Sequence, residues 1–369
     1  MRHSSYLEVN LDLLTQNFQK IQGMAPKAKI LPMVKAEAYG HGLVPVSRFL
    51  SEECEVKKLG CARLSEAVRV FNECPDLDSE FLIFSDTELN NEETRRAYLN
   101  LRVTPVLHKR SDLEIVLSHP DLKKIPIVLK INTGMNRLGL SLEELAEYAP
   151  KLRSRGVQHL ISHFACSNYP LKPGDKTHRQ TDEFLKAKKI LGDANVEVCE
   201  TSVSNSGAIE QSFGVDESYV RPGILLYGVP STTTTPWGGQ QVSRLLTKVL
   251  KTFTVKKGTP VGYGIYVTGE DVFMVIIPIG YGDGLSTFTS GVELSINGHK
   301  GKVFGRVNMD MIYLAFDPSV EGKIKEGDEL EIWGHDYRKI LDISAQMKTI
   351  PYQLMCGISA RIPRIYKVK

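Results

Sequence analysis

The sequence predicts an α/β chain: an N-terminal (β/α)8 TIM-type barrel followed by a mostly antiparallel β domain. Three observations carry this expectation. Short runs that are apolar throughout alternate with amphipathic helical stretches over the first two-thirds of the chain, as in a parallel sheet covered on both faces. About eight such units fit into roughly 230 residues, which is the number and length of a barrel. Near residue 240 the helical stretches stop and strand-like segments follow one another directly.

The expected barrel strands, in order, are 29–36 (KILPMVKA), 57–64, 80–85, 102–108, 125–131 (IPIVLKI), 159–165 (HLISHFA), 198–204 (VCETSVS) and 220–228 (VRPGILLYG). Between them, 64–73 and 177–191 repeat apolar residues at helical intervals. The stretch 141–154 opens with Ser141 and Glu144 at capping-box spacing. Periodicity alone leaves an open doubly wound sheet as the rival arrangement. In the β domain, VLKTFTVKKG, VFMVIIPI, VELSINGHKGKVFGRV, MIYLAF and DELEIWG read as strands, with Asn297-Gly298 a tight-turn signal and one helical pattern at 339–348 before Pro351. The expected division is 8–238 for the barrel and 239–369 for the β domain, with 1–7 packing against the latter and STTTTPWGGQQ (231–241) as linker.

Composition narrows the function. Basic residues number 46 against 43 acidic, a net charge of +3, which gives no electrostatic footprint for nucleic acid or an anionic membrane. No apolar run reaches the ~20 residues of a membrane helix. The N-terminal MRHSSYLEVNLDLL lacks a basic segment followed by an apolar one. Six cysteines are scattered without CxxC or metal spacing and read as reduced thiols of a cytoplasmic protein without a metal site.

In a barrel the chemistry sits at the carboxyl ends of the strands. There the sequence places Lys35, Lys130, His163, Asn205-Ser206 and Arg221, polar residues within or against apolar runs. Each has an ordinary reading: Lys130 in IVLKI as half of a buried ion pair, His163 as a satisfied core histidine, Asn205-Ser206 as a helix cap. Yet SNSGAI (204–209) follows strand seven and the glycine of RPGI (221–224) lies in the polar interruption of strand eight, in the region where barrels commonly bind phosphate through backbone amides. A phosphate cradle combined with a lysine at the end of strand one suggests pyridoxal phosphate, whose aldehyde reacts with lysine.

VKAEAYGHG, KINTGMNRLG (130–139), SNSGA, RPGILLYG, VGYG (261–264), IGYGDG (279–284), GRVNMDM (305–311) and IPYQLMCGISARIPRIY (350–366) together resemble the alanine racemases, in family order over nearly the whole chain. The resemblance implies that Lys35 holds pyridoxal 5'-phosphate and that Tyr39, Ser206, Gly223, Ile224 and Tyr352 bind its phosphate, with Asn205 beside them. Arg221 would face the pyridine nitrogen, and His163 would bridge Arg221 and Tyr263. Racemisation needs an acid/base group on each face of Cα; by the resemblance these are Lys35 and Tyr263 of the partner subunit, in a homodimer with shared active sites. Arg137 would bind the cofactor's phenolic oxygen and the substrate carboxylate, Met309 the same carboxylate through its amide, and Tyr281 would stand at the entrance. Lys130 matches a lysine that is carbamylated in many members. His41 reads as a loop or supporting residue.

The implied activity is interconversion of L- and D-alanine, supplying D-alanine for peptidoglycan. The chain departs from the family at Asn308, where many members carry cysteine. It departs again in HFACSNYPLKPGD (163–175), and in GYGDGLSTFTS, which lacks a common arginine. These departures leave open a serine, lysine, arginine or broad-specificity racemase. Two other classes are weighed: amino-acid decarboxylases, against which Arg221 and SNSGA speak, and non-catalytic cofactor-binding single barrels, which would end near residue 240.

Overall fold

The computed structural model describes residues 3–232 and 237–368, so residues 233–236 of the expected linker lie outside the described residues. A first strand, β1 (Tyr6–Asn10), precedes the barrel strands β2 (Lys29–Ile30), β3 (Lys58–Arg63), β4 (Glu80–Asp86), β5 (Val103–Leu107), β6 (Val128–Lys130), β7 (Val157–Ile161), β8 (Val198–Ser202) and β9 (Tyr219–Val220). All the pairings among β2 to β9 are parallel. β3 to β8 form one six-stranded sheet and β2 pairs with β9. Single parallel bridges, Met33 to Gly60 and Asn205 to Arg221, join the two sheets at both seams. The eight strands therefore close into a ring, and the open sheet is set aside.

The helices around the ring start where their chemistry says they should. Ser141 and Glu144 form the reciprocal cap of Leu142–Leu152. Glu66 accepts the amides of Ala62 and Arg63 at 2.9 and 3.0 Å at the head of Leu64–Glu73. Asp175 caps Lys176–Asp193 by accepting the His178 amide at 2.9 Å.

Two barrel strands are far shorter than the sequence suggests. β2 ends at Ile30, and after the bridge at Met33 the chain turns away into Lys35–Tyr39. β9 ends at Val220, and 223–228 fold into successive turns closed by Leu226, Tyr227 and Gly228 amides donating three residues back at 3.0 Å. A run buried on every side looks the same in sequence whether it is strand or turn. Here Ser206 Oγ accepts the Gly223 and Leu225 amides at 2.9 and 3.3 Å, so no neighbouring strand is needed for them.

The rest of the chain forms β10 (Ser243–Lys248), β11 (Lys251–Val255), β12 (Val272–Ile277), β13 (Glu293–Ile296), β14 (His299–Phe304), β15 (Ile312–Phe316), β16 (Glu329–Trp333) and β17 (Arg364–Lys367). They make two sheets, β16-β10-β1-β17 and β11-β12-β15-β14-β13, antiparallel except where β1 lies parallel to β17. Asn297 and Gly298, at φ of 50° and 79°, turn β13 into β14. Beside the expected helical segment, found at Tyr337–Gln346, there is a second helix, Pro351–Gly357. Pro351 stands at its first turn, where the missing N–H is no loss, and not as a breaker. Two compact units result: one is Thr15–Gly239, the other joins the chain up to Leu14 with the chain from Gln240 onward. Among the described residues no helix is long and apolar enough to cross a membrane.

Candidate active site

Lys35 opens an unusual turn. Ala36, Glu37, Ala38 and Tyr39 all have positive φ, 53°, 58°, 51° and 55°, so four consecutive non-glycine residues follow a left-handed helical path. Each such residue costs roughly 1–2 kcal/mol. The surroundings hold the turn from several sides. The Ala38, Gly40 and Gly42 amides donate to the carbonyls of Val34, Ala36 and Glu37 at 2.8–3.0 Å. Glu66 Oε1 accepts the Ala36 amide at 2.7 Å while its other oxygen caps the neighbouring helix. Arg69 pairs with Glu37 at 2.6 Å. Tyr227 stacks against Tyr39 and His41, with centroids 4.9 and 4.7 Å away, and donates to the Met33 carbonyl at 3.0 Å. His41 is buried, its Nδ1 2.9 Å from the Ala38 carbonyl oxygen, so it supports the turn from behind. Backbone strain that is over-determined in this way concentrates at functional sites.

Opposite Tyr39 the chain makes a cradle. A Cβ at Gly223 would lie 2.1 Å from Tyr39 Oη, so only glycine lets the phenol approach this backbone. Ser206 Oγ stands at the same place, 2.9 Å from the Gly223 amide, with Ile224 buried next in line. Asn205 holds the loop: its Nδ2 donates to the Phe164 carbonyl at 3.0 Å and its Oδ1 accepts from Ser167 Oγ and the Ala208 amide. Two hydroxyls and the backbone of a glycine loop thus converge.

Beside the cradle lies a group of cations. Burial, then the positive charges of Arg137, Arg221 and Lys35, push the Lys130 amine down to about 8. Burial also lowers Arg221 to about 9, which leaves it charged at neutral pH. Among the described residues neither Lys130, Arg137 nor Arg221 has a carboxylate partner. Arg221 is instead held by neutral acceptors: Ser202 Oγ, the Ser162 carbonyl at 2.5 Å and the Val203 carbonyl at 3.4 Å. His163 lies 3.5 Å from both Arg221 Nη2 and Asn205 Nδ2; burial first, then Arg221 and the other cations, keep its ring neutral. The buried ion pair that is the ordinary reading of Lys130 is not found among the described residues, and the unbalanced charge calls for an anion from outside the chain.

The second unit carries a cleft of about 790 Å³ lined by Tyr263, Tyr281, Arg306, Asn308, Met309 and Asp310. The Tyr281 and Gly282 amides donate to the Asn308 and Met309 carbonyls at 3.0 and 2.9 Å, which locks IGYGDG to GRVNMDM. Arg361 reaches Asp310 at 2.7 Å and Asp283 at 3.4 Å, bridging both segments. Tyr263 is 70% exposed, and Ile265 beside it 95%. Tyr352 stands in the first turn of Pro351–Gly357.

The structure thus brings Lys35, Tyr39, Lys130, Arg137, His163, Asn205, Ser206, Arg221, Gly223 and Ile224 together in one unit, and Tyr263, Tyr281, Met309 and Tyr352 stand in the other. Sequence reasoning passed over Glu66, Ser162, Ser202, His159 and Tyr227. Glu200 and Ser202 alternate along β8 and so share a face, which was the available signal. Lysine beside a two-hydroxyl, glycine-lined cradle and an unpaired cation group is a donor set that fits a phosphorylated aldehyde such as pyridoxal phosphate.

Residues 9–231 match the model for the alanine racemase N-terminal domain and residues 242–366 that for the C-terminal domain. The alanine racemase of Carboxydothermus hydrogenoformans is 33% identical over 98% of this chain and 99% of its own, and that of Mannheimia succiniciproducens 33% over 95% of each. Among solved structures, the biosynthetic alanine racemase of Pseudomonas aeruginosa superposes with a TM-score of 0.86 at 27% identity, covering 100% of both chains. The alanine racemase of Acinetobacter baumannii reaches 0.85 at 27%, covering 99% of this chain and 100% of its own. With matches to both domain models spanning almost its full length, and this donor set at the mouth of its barrel, the chain belongs to the alanine racemase family.

Proposed function

We propose that this chain is a pyridoxal-phosphate-dependent racemase, an isomerase, that interconverts L-alanine and D-alanine. The observation that carries the reading is that Lys130, Arg137 and Arg221 have no carboxylate to balance them among the described residues and are set beside the Tyr39–Ser206–Gly223 cradle. It asks for a phosphate and for a substrate carboxylate.

When bound, pyridoxal phosphate supplies an electron-withdrawing system conjugated to the substrate nitrogen, which acidifies the Cα–H bond. Lys35 would hold it; Tyr39, Ser206, Gly223, Ile224 and Tyr352 would bind its phosphate, with Asn205 and His163 in support. Arg221, charged but unwilling to release its proton, would donate a hydrogen bond to the ring nitrogen without protonating it. Arg137 and the Met309 amide would orient the substrate carboxylate, and Tyr281 would guard the entrance. Lys35 Nζ then takes or returns the Cα proton on one face and Tyr263 Oη on the other.

Tyr263 would come from a second copy of the chain, making the active unit a homodimer. The exposed row Tyr263, Ile265, Tyr266 and Val267 supports this, because a contiguous apolar patch on a folded surface marks an interface. Lys130, lowered to about 8, presents about a tenth of its amine unprotonated at pH 7. That neutral nitrogen can attack carbon dioxide, forming an N–C bond and releasing a proton, and the resulting carbamate would balance Arg137. We place the reaction in the cytoplasm, where D-alanine would feed peptidoglycan synthesis; the cysteines, without disulfide or metal spacing, agree with that compartment.

The test is chiral amino-acid analysis after incubating the holoenzyme with single L-amino acids. D-alanine forming fastest supports the proposal. Faster D-serine, D-lysine or D-arginine keeps the chemistry and moves the substrate, in line with the Asn308 departure. No D-isomer from any substrate, with cofactor bound, overturns it.

A further inference from the structure

Arg221 is held by a hydroxyl whose own proton must go elsewhere. Ser202 Oγ accepts from Arg221 Nη1, so its O–H cannot point at the guanidinium. His159 Nε2 lies 2.9 Å from the same oxygen, and both side chains are fully buried. Burial, then the charges of Arg221 and Lys58, hold His159 neutral, near 2. A neutral imidazole has one acceptor nitrogen, and the Ser202 proton claims it at Nε2. The ring proton then sits on Nδ1, which has no hydrogen-bond partner among the described residues. The carboxylate that Nδ1 faces, Glu200 Oε2, is 3.8 Å away. Glu200 is anchored in turn by Lys58 at 2.5 Å and by Tyr219 Oη at 3.4 Å. The register makes this chain of groups: His159 on β7 lies level with Glu200 on β8, and Ser202 stands two residues further along the same face.

We infer that His159, acting through Ser202, is the positioning residue that fixes the orientation of Arg221 toward the cofactor ring. This rests on the reading that Arg221 faces that ring. The direction of every bond in the chain follows from one tautomer. Carboxylate Glu200 faces the Nδ1–H of His159, Nε2 accepts the Ser202 hydroxyl proton, and the Ser202 lone pairs are left for the guanidinium. Reversing the tautomer would make Ser202 Oγ accept from both His159 and Arg221, leave its own proton without an acceptor there, and turn a bare Nδ1 lone pair toward the Glu200 carboxylate. Leaving such buried groups mismatched costs far more than an ordinary hydrogen bond contributes. The Phe84 ring, 5.9 Å from the guanidinium carbon, closes the remaining side, and among the described residues the Ser162 and Val203 carbonyls and His163 Nδ1 hold only the other nitrogen, Nη2, so Ser202 is what fixes the Nη1 side of Arg221.

The experiment is nitrogen NMR of full-length holoenzyme labelled with ¹⁵N-histidine, the His159 signals assigned by their loss in His159→Gln. A protonated Nδ1 and an unprotonated Nε2 are expected; a protonated Nε2 overturns the proposal. The readout needs no turnover, so it can fail while the racemase reading stands, and the amino-acid panel can fail while the tautomer is as stated. Variants give the functional half. His159→Leu and Ser202→Ala should each lower kcat about tenfold with KM for L-alanine within about twofold, and shift the visible absorption of the bound cofactor. His159→Gln, whose amide oxygen can take the place of Nε2, should stay within about threefold of wild type. Equal losses in His159→Leu and His159→Gln, or an unchanged cofactor spectrum in both Leu and Ala variants, overturn it. Should a variant fail to fold, the tautomer decides alone.

Discussion

The turn after Lys35 and the loop around Tyr263 carry the two proposed proton-transfer groups, yet they are built in opposite ways. The first bends four non-glycine residues into the left-handed region and is held there by backbone ladders, Glu66 and stacked rings. The second places its positive φ at glycines, Gly262 at 70° and Gly264 at 90°, where no Cβ objects, and leaves Tyr263 exposed between them. A lysine proposed to hold a cofactor in one pose would gain from strain that its own unit over-determines. A phenol proposed to meet a second copy would gain from a relaxed, projecting loop.

The comparison predicts a graded series of losses. Lys35→Ala should abolish racemisation, by about 10⁴-fold or more, and with it the visible band of the bound cofactor, while the far-ultraviolet circular dichroism stays native. Retention of that band would remove Lys35 from its place. Tyr263→Phe should lower the rate about 10²- to 10³-fold with the cofactor still bound, and should suppress solvent-deuterium uptake in one enantiomer only. Equal uptake in both enantiomers would break the assignment of one group to each face.

Lys130 gives an effect of about tenfold. Its amine is depressed to about 8, so raising the pH from 6.5 to 8.5 neutralises it and favours the carbamate. Activity in buffer stripped of carbon dioxide should fall and return on adding bicarbonate, more fully at the higher pH. Lys130→Ala should lose that response, and a bicarbonate effect that survives in it would refute the modification. Glu66→Ala removes the acceptor shared by the Ala36, Ala62 and Arg63 amides and should destabilise the chain by about 2 kcal/mol. Urea unfolding measures this, and an unchanged midpoint would mean that the left-handed turn needs no such anchor. The smallest change belongs to the exposed half. Arg361→Ala, which removes the cation between Asp310 and Asp283, should raise KM for alanine about threefold with little shift in Tm, because the closer pair, to Asp310, is half-exposed and contributes little.

Much of the site was legible in single residues. Lys35, His163 and Arg221 stand out because a polar group within an apolar run demands an explanation, and Gly223 because of the phosphate-loop position. His159 and Ser202 did not stand out. A histidine in VQHLI and a serine in VCETS are unremarkable until strand register sets them level with Glu200 and in line with Arg221. The helix that Pro351 opens went unread as well, since only the capping geometry shows that this proline starts a helix.

The sequence by itself determined the alternation that makes a barrel, the switch to strands without helices near residue 240, and the residue types able to hold a phosphorylated aldehyde. These are local properties, set by the period of apolar residues and by side-chain chemistry. The tertiary structure alone decided three things: the left-handed course of Ala36 to Tyr39, the closing of the ring through single bridges at Met33 and Asn205, and the facing of cations from separate segments of the chain. The reason is one of scale. Intrinsic preferences along AEAY favour a right-handed helix, by roughly 1–2 kcal/mol per residue over the left-handed one. They are overruled by buried hydrogen bonds and stacked rings that come from residues as distant as Glu66 and Tyr227.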